Sequence, residues 1–362
     1  MKSVLFFVTN LDSGGLENYL LRFLQYKVEE FAEVEVYCKS GRGGQLESDY
    51  LKLPNVRITK RKLGYFNISS YLALKTYLEK GKYDVICDFT GNFAGLPLLV
   101  GKYAGVKNRT VFYRGAADHF KTSFIKVCYN NWVKKLTYNN ATYILSNSKA
   151  AFDYFYKDYV VDDRFHVIYN GIDASKFEIG TVNLREELGI PDKVFVIGHT
   201  GRFNYAKNHN VIIEVADKLL AKYSDIYFIL CGNGVKENLN GVINSKGVAN
   251  RILLFENRRD IPCFLNTMDA YIFPSITEGQ PNALIEAMIM GLPFVASDIE
   301  PIKETVDMDS LLFAPDDTEG FFRGLEMIYL KGKVRNEDLK ERTMDKFNYK
   351  NRFNEFYNIL IK

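Results

Sequence analysis

Short apolar runs alternate with longer amphipathic segments along the whole chain. Six runs in the first half read as strands: "SVLFFVT", "VEVYC", "YDVICDF", "RTVFYR", "ATYILSN" and "FHVIYNG". Six more follow in the second half: "VFVIGHTG", "IYFILCGNG", "RILLFEN", "AYIFPS", "PFVASD" and "LLFAP". Most are continuously apolar, which suits parallel strands covered on both faces. Helix-period segments separate many of them, so the pattern predicts an α/β chain with two Rossmann-like, doubly wound domains. The polar stretch "EIGTVNLREELGIPDK" falls between the two sets of runs. It divides a first domain, residues 1–175, from a second, residues 176–345. In the closing segment, 346–362, Tyr349, Phe353, Phe356, Tyr357 and Leu360 recur at helical spacing. They predict an amphipathic helix that must dock on one of the domains.

Composition narrows the class. Apolar residues make up 47% and charged residues 25%, as in a soluble globular protein. No run of eighteen apolar residues occurs, so no membrane-spanning helix is expected. The start, "MKSVLFFVTN", is too short for a secretory signal and reads as a buried strand. Five scattered cysteines with no metal-type spacing predict free thiols in a reducing compartment, hence a cytoplasmic location. The net charge of +3 conceals an asymmetry: residues 51–150 hold 17 Lys/Arg against 4 Asp/Glu. A basic region beside an acidic remainder points to an anionic partner for one domain.

Ligands of open α/β sheets bind beyond the carboxyl ends of the strands, so those loops are where chemistry is expected. "TNLDSGGLENYL" carries Gly14 and Gly15 at the start of a helix, where backbone can approach a ligand. An ordinary strand-to-helix turn explains the pair equally well. "GHTGRFNYAKNHN" places Gly201, Arg202 and Lys207 after the first strand of the second domain. Two cations there suit a diphosphate, against the alternative of solvated surface charge. "LCGNGVKE" begins like a dinucleotide fingerprint but has Glu237 where the third glycine belongs, and reads as a turn. "SITEGQPNALIEAMIMGLPFVASD" sets Glu278 and Glu286 around a helix start. Pro281 lies near its first position and Asn282 is a candidate cap. The free amides and dipole of that tip favour an anion, while the two carboxylates suit sugar and ribose hydroxyls. The bland reading is two surface acids. "SNSK", Ser146 to Lys149, fits a four-letter catalytic pattern by chance and lacks its partner motifs. His166 sits in a strand, and His199 and His209 flank the Arg202 loop. His119, in "YRGAADHF", lies in a loop of the first domain. No P-loop, HExxH or GxSxG occurs.

Taken in order, "GGLENYL", "LSNSKAAFDYF", "VIYNGIDASKF", "GHTGRFNYAKNH", "LCGNG", "DAYIFPSITEGQPNALIEAM" and "GLPFVASD" resemble the retaining glycosyltransferases of family 4. That resemblance implies a GT-B fold, with two Rossmann-like domains facing each other across a cleft and a last helix crossing back to the first domain. It implies that Arg202 and Lys207 hold the diphosphate of a nucleotide-sugar, that Glu286 binds the ribose and that Glu278 contacts the sugar. Gly201 and the segment Gly279, Gln280, Pro281, Asn282, Ala283 and Leu284 would meet sugar and phosphate oxygens, with Gly14 and Gly15 closing over the phosphates. Many relatives carry a histidine near the sugar after the fourth strand of the first domain. This chain departs from that pattern: Arg114 holds roughly the place and His119 follows five residues later.

The implied reaction is metal-independent transfer with retention, from a nucleotide-diphosphate sugar, most often UDP-linked, to a glycan or lipid-linked acceptor. No cofactor is expected. An anionic membrane surface is a second expected partner, through residues 57–62 and 121–135. The latter hold Lys121, Lys126, Lys134 and Lys135 among Phe124, Ile125, Tyr129, Trp132 and Leu136. The alternative for that stretch is a domain helix with its apolar face in the core. A GT-B sugar-nucleotide epimerase would bind the same kind of donor. A nucleic-acid-binding protein is a third reading, but no nucleic-acid motif supports it, so no nucleic-acid partner is expected.

Overall fold

All twelve apolar runs form strands, and every pairing between them is parallel. The computed structural model describes residues 1–65, 67–115, 124–177, 182–306 and 310–362; His119 and Lys121 fall outside them. The described chain divides into two compact units, Met1–Gly171 with Tyr349–Lys362, and Ile172–Asn348.

The first unit is built on β1 (Ser3–Val8), β2 (Glu33–Cys38), β3 (Val56–Lys60), β4 (Val85–Asp88), β5 (Asn108–Tyr113), β6 (Tyr143–Ser146) and β7 (Phe165–Val167). Its helices are α1 (Gly15–Lys27), α2 (Glu47–Leu51), α3 (Ile68–Gly81), α4 (Gly95–Tyr103), α5 (Phe124–Asn140) and α6 (Lys149–Phe155). The second unit has β8 (Phe195–Thr200), β9 (Ile226–Cys231), β10 (Ile252–Phe255), β11 (Ala270–Phe273), β12 (Phe294–Ser297) and β13 (Leu311–Phe313). Around them lie α7 (His209–Lys222), α8 (Val235–Ser245), α9 (Ile261–Thr267), α10 (Asn282–Ile289), α11 (Glu300–Lys303), α12 (Thr318–Lys331) and α13 (Glu337–Lys346). The final helix, α14 (Tyr349–Ile361), belongs to the first unit.

Strand order is β3-β2-β1-β4-β5-β6-β7 in one sheet and β10-β9-β8-β11-β12-β13 in the other. Both are doubly wound, with the order reversing between β1 and β4 and between β8 and β11. The central strands are buried on both faces, as Val4 to Val8 of β1 illustrate. That burial is why these runs carry no polar alternation.

One strand was not apparent in the apolar pattern. Residues 57–62 read as a basic run, yet Val56–Lys60 forms the edge strand β3 against β2. An edge strand buries little, so its side chains alternate charged and apolar. Arg57 reaches Glu33 across the pair at 2.5 Å.

The closing helix α14 buries Phe353, Phe356, Ile359 and Leu360 in the first unit's core, with Tyr349 and Tyr357 half-buried beside them. The Phe356 ring lies 4.6 Å from Phe23 of α1 and 5.2 Å from Phe112 of β5. Gly171 lets the chain pass where α14 begins, because a Cβ there would fall 2.3 Å from the Tyr349 Cα.

Candidate active site

In the second unit, the order reversal separates the loops that follow β8 and β11. Loops diverging at such a point leave a crevice at the carboxyl edge of the sheet. The loop after β8 carries Gly201, Arg202 and Lys207; the loop after β11 carries Glu278 and leads into α10. The two strand ends are fastened together. The Tyr271 hydroxyl contacts the Thr200 amide at 3.0 Å and the Thr200 hydroxyl at 2.7 Å. His199 Nδ1 lies 2.9 Å from the Ile272 carbonyl, and the Ile276 amide donates to the Ala206 carbonyl at 2.8 Å.

Two asparagines shape the cationic loop. Asn204 accepts the Lys207 amide at 3.0 Å, closing the single turn Tyr205–Lys207. Asn208 then takes the left-handed conformation (φ 53°, ψ 47°) that turns the chain into α7, a region asparagine tolerates better than most residues. Gly232, in the turn after β9, backs this loop: a Cβ there would lie 1.9 Å from the Gly201 carbonyl oxygen. The sequence reading as a plain turn missed this close approach between two glycines.

The site chemistry converges on Lys207. Its Nζ is 2.5 Å from Glu278 Oε1, with the two side chains 18% and 11% exposed, and lies 4.8 Å over the Phe273 ring. The cation read as a phosphate ligand and the acid read as a sugar ligand therefore touch each other. Arg202 is exposed, and its side chain has no ion-pair or hydrogen-bond partner among the described residues. Glu286 lies in the second turn of α10, half-buried. Asn282 is not the cap: Pro281 holds the cap position, Asn282 begins the helix, and no side chain caps it. The Asn282 amide bonds the Gln280 carbonyl at 2.9 Å and the Leu284 amide bonds the Pro281 carbonyl at 3.0 Å. Gly279 and Ala283 then keep amides unbonded among the described residues. Gln280 and Leu284 are buried.

Beneath the loop, His199 and His209 meet edge to face with ring centroids 5.0 Å apart. Burial, then the neighbouring His209, holds His199 well below the ordinary imidazole value. Burial, then the Lys207 charge, pushes His209 down to about 4. A free imidazole titrates near 6.5, so between about 4 and 6.5 the unfolded chain binds the extra proton. Stability from His209 is therefore fully present above pH 6.5 and falls as the pH drops, by roughly 3 kcal/mol on reaching pH 4. Melting temperatures between pH 7.5 and 4.5 should fall steadily, and more gently in His209→Leu. Equal slopes in both proteins would contradict this.

The first unit holds the other predicted positions. Gly14 caps α1, and Gly15 opens it with free space where a Cβ would stand. Arg114 follows β5, with its guanidinium 3.7 Å over the Tyr19 ring of α1. Burial pushes Arg114 down to about 10.

Two family profiles match this chain: "Glycosyltransferase Family 4" over residues 13–176 and "Glycosyl transferases group 1" over residues 194–330. The chain belongs to the family 4 glycosyltransferases. Among relatives of this family 4 chain is UDP-Gal:alpha-D-GlcNAc-diphosphoundecaprenol alpha-1,3-galactosyltransferase of Escherichia coli. It is 27% identical over 86% of this chain and 84% of its own length. The capsular polysaccharide biosynthesis glycosyltransferase CapH of Staphylococcus aureus is 25% identical over 84% and 83%. Among solved structures, Anabaena Alr3699/HepE in complex with UDP and glucose superposes with a TM-score of 0.78 at 19% identity, covering 100% of both chains. That likeness establishes the GT-B fold.

The remaining motifs of the glycosyltransferase are structural. Ser148 of "SNSK" caps α6, accepting the Ala151 amide at 3.3 Å. Asp317, after β13, likewise caps α12, accepting the Gly320 amide at 2.8 Å. Among the described residues no three His, Cys, Asp or Glu side chains gather as a metal site. No helix there is long and apolar enough to cross a membrane.

Proposed function

We propose that this glycosyltransferase moves a sugar from a UDP-linked donor to a lipid-diphosphate-linked or oligosaccharide acceptor of a bacterial surface polysaccharide, with retention and without a metal. The observation that carries the donor half is the Lys207–Glu278 pair at the second unit's switch point, with Arg202 exposed on the Lys207 loop and α10 beginning just after Glu278. The Escherichia coli relative is named for a UDP-galactose donor and a diphosphoundecaprenol acceptor, and HepE holds UDP, which supports the same choice here.

In this reaction the glycosyl–phosphate C–O bond breaks and its electron pair leaves with the diphosphate. The acceptor hydroxyl oxygen bonds the anomeric carbon from the leaving-group side, and its proton passes to the departing phosphate. Arg202, Lys207 and the amides of Gly279 and Ala283 stabilise the growing phosphate charge, which is the electrostatic work of such a site. Glu278 holds Lys207 in place before donor arrives and faces the sugar once phosphate takes over the ammonium. Glu286 accepts from ribose hydroxyls.

Acceptor binding falls to the first unit, at a membrane surface and on its cytoplasmic side. On α5, Phe124 is 83% and Ile125 77% exposed, with Lys126 next in the chain and Lys134 and Lys135 further along the same helix. Exposed apolar side chains on a helix that also carries lysines suit an anionic bilayer. The run at 57–62 contributes less, since Arg57 and Lys60 are already paired with Glu33 and Glu47.

Incubating the protein with UDP-, GDP- and ADP-sugars and a short-chain prenyl-diphosphate sugar, with EDTA present, tests the reading. The expected product is one α-linked disaccharide from a UDP-sugar. An epimer formed from donor alone would replace transfer by epimerisation. Vesicles containing phosphatidylglycerol should retain the protein at low salt, and Phe124→Ser with Ile125→Ser should release it. Equal binding to neutral vesicles would remove the anionic surface from the account.

A further inference from the structure

Buried polar atoms almost always find hydrogen-bond partners, and buried charges find counter-charges. At the carboxyl edge of the first sheet, two donors break that rule together. Arg114 Nη1 and the Tyr19 hydroxyl are both buried without a hydrogen-bond partner among the described residues. They are neighbours, since the guanidinium stacks 3.7 Å over the Tyr19 ring. Aromatic walls surround them: Phe112 lies 4.9 Å from the guanidinium, and Phe353 lies 5.4 Å from Tyr19. Among the described residues the surroundings supply no free acid. Glu355, the acid that Tyr19 feels, is engaged by Arg352 at 2.9 Å. Arg22, one turn along α1 from Tyr19, adds a second positive charge near Arg114.

Stacking on tyrosine offsets part of the charge, but it leaves Nη1 without an acceptor. Two buried donors side by side among aromatic rings, beside a further cation, call for an acceptor that carries negative charge. The position adds weight. Arg114 follows β5, next to the β1–β4 reversal of the sheet, and as a residue it is only partly buried. We propose that Arg114 and Tyr19 form a subsite for an oxyanion carried by the substrate, either a sugar carboxylate or a phosphate oxygen of the acceptor. This rests on the sugar-transfer reading and gives it a substrate class: one with an acidic group besides the donor diphosphate.

The two sources separate by experiment. Affinity is measured for UDP-glucuronate against UDP-glucose, and for a short prenyl-diphosphate sugar against the phosphate-free prenyl glycoside. Each pair is compared in the wild-type chain, in Tyr19→Phe, which removes a single oxygen, and in Arg114→Met. The wild type should prefer the charged member of one pair by tenfold or more. Preference in the first pair assigns a carboxylate on the sugar; preference in the second assigns the acceptor phosphate. Both variants should bring the preference to about twofold or less. Without substrate, Arg114→Met should melt no lower than wild type, because it removes a buried charge that no described residue neutralises. No preference in either pair overturns the proposal. So does a lower melting temperature in Arg114→Met with the preference intact, which would mark a structural arginine satisfied by water. UDP binding in the second unit stays readable throughout, so failure of this subsite is distinct from failure of the transfer reading.

Discussion

Replacing Arg202 with alanine lowers kcat for sugar transfer by about 10²–10³, the usual cost of removing one preorganised donor from a developing negative charge. The melting temperature should not change, because the Arg202 side chain is exposed and unpaired among the described residues. Lys207→Ala should lose activity to a similar extent, with a different signature in stability. It leaves the Glu278 carboxylate, 11% exposed, without its cation. Removing one member of a largely buried pair is destabilising. Adding Glu278→Gln to Lys207→Ala should restore the melting temperature and leave activity low. Stopped-assay turnover beside thermal melts checks all three variants. Turnover near wild type in both single alanine variants would remove the two cations from the chemistry.

Phe356→Ala should be the most damaging single change to the fold, costing about 3–5 kcal/mol, as truncation of a fully buried aromatic does. Its ring sits among Phe23, Phe112, Phe89 and Tyr19, so it joins the end of the chain to the first helix and the central strands of one unit. The loss should show as a lower denaturant midpoint. Phe356→Leu should recover most of it, since Leu fills much of the same volume. The second unit has its own core of β8, β9, α7 and α12 residues. Nucleotide binding should therefore persist in Phe356→Ala at denaturant concentrations that abolish acceptor binding. Simultaneous loss of both functions would show that the units unfold together.

Strands buried on both faces announce themselves by continuous apolar runs, and twelve of thirteen were legible for that reason. The thirteenth, β3, lies at an edge where Arg57 and Lys60 are in contact with solvent and with acids, so it read as a basic run for a membrane surface. The site was legible in its residues but not in its contacts. Lys207 and Glu278 stand 71 positions apart, and nothing in either segment announces that they touch. The same holds for Gly232 against Gly201 and for His199 against His209, which meet through tertiary packing. Asn204 and Asn208 could have been found, because asparagine at a turn cap and at a left-handed position is a local signal. Asn282 misled for a related reason: a residue suited to capping follows a proline that takes the cap place itself.

The central claim is that the second unit grips a diphosphate through Arg202 and Lys207 at the start of α10. Calorimetric titration of UDP and of uridine into the wild-type protein and the Arg202→Ala, Lys207→Ala double variant tests it most directly. UDP should bind the wild type at least a hundredfold more tightly than uridine, and that advantage should vanish in the double variant. An undiminished advantage for UDP in the double variant would contradict the account.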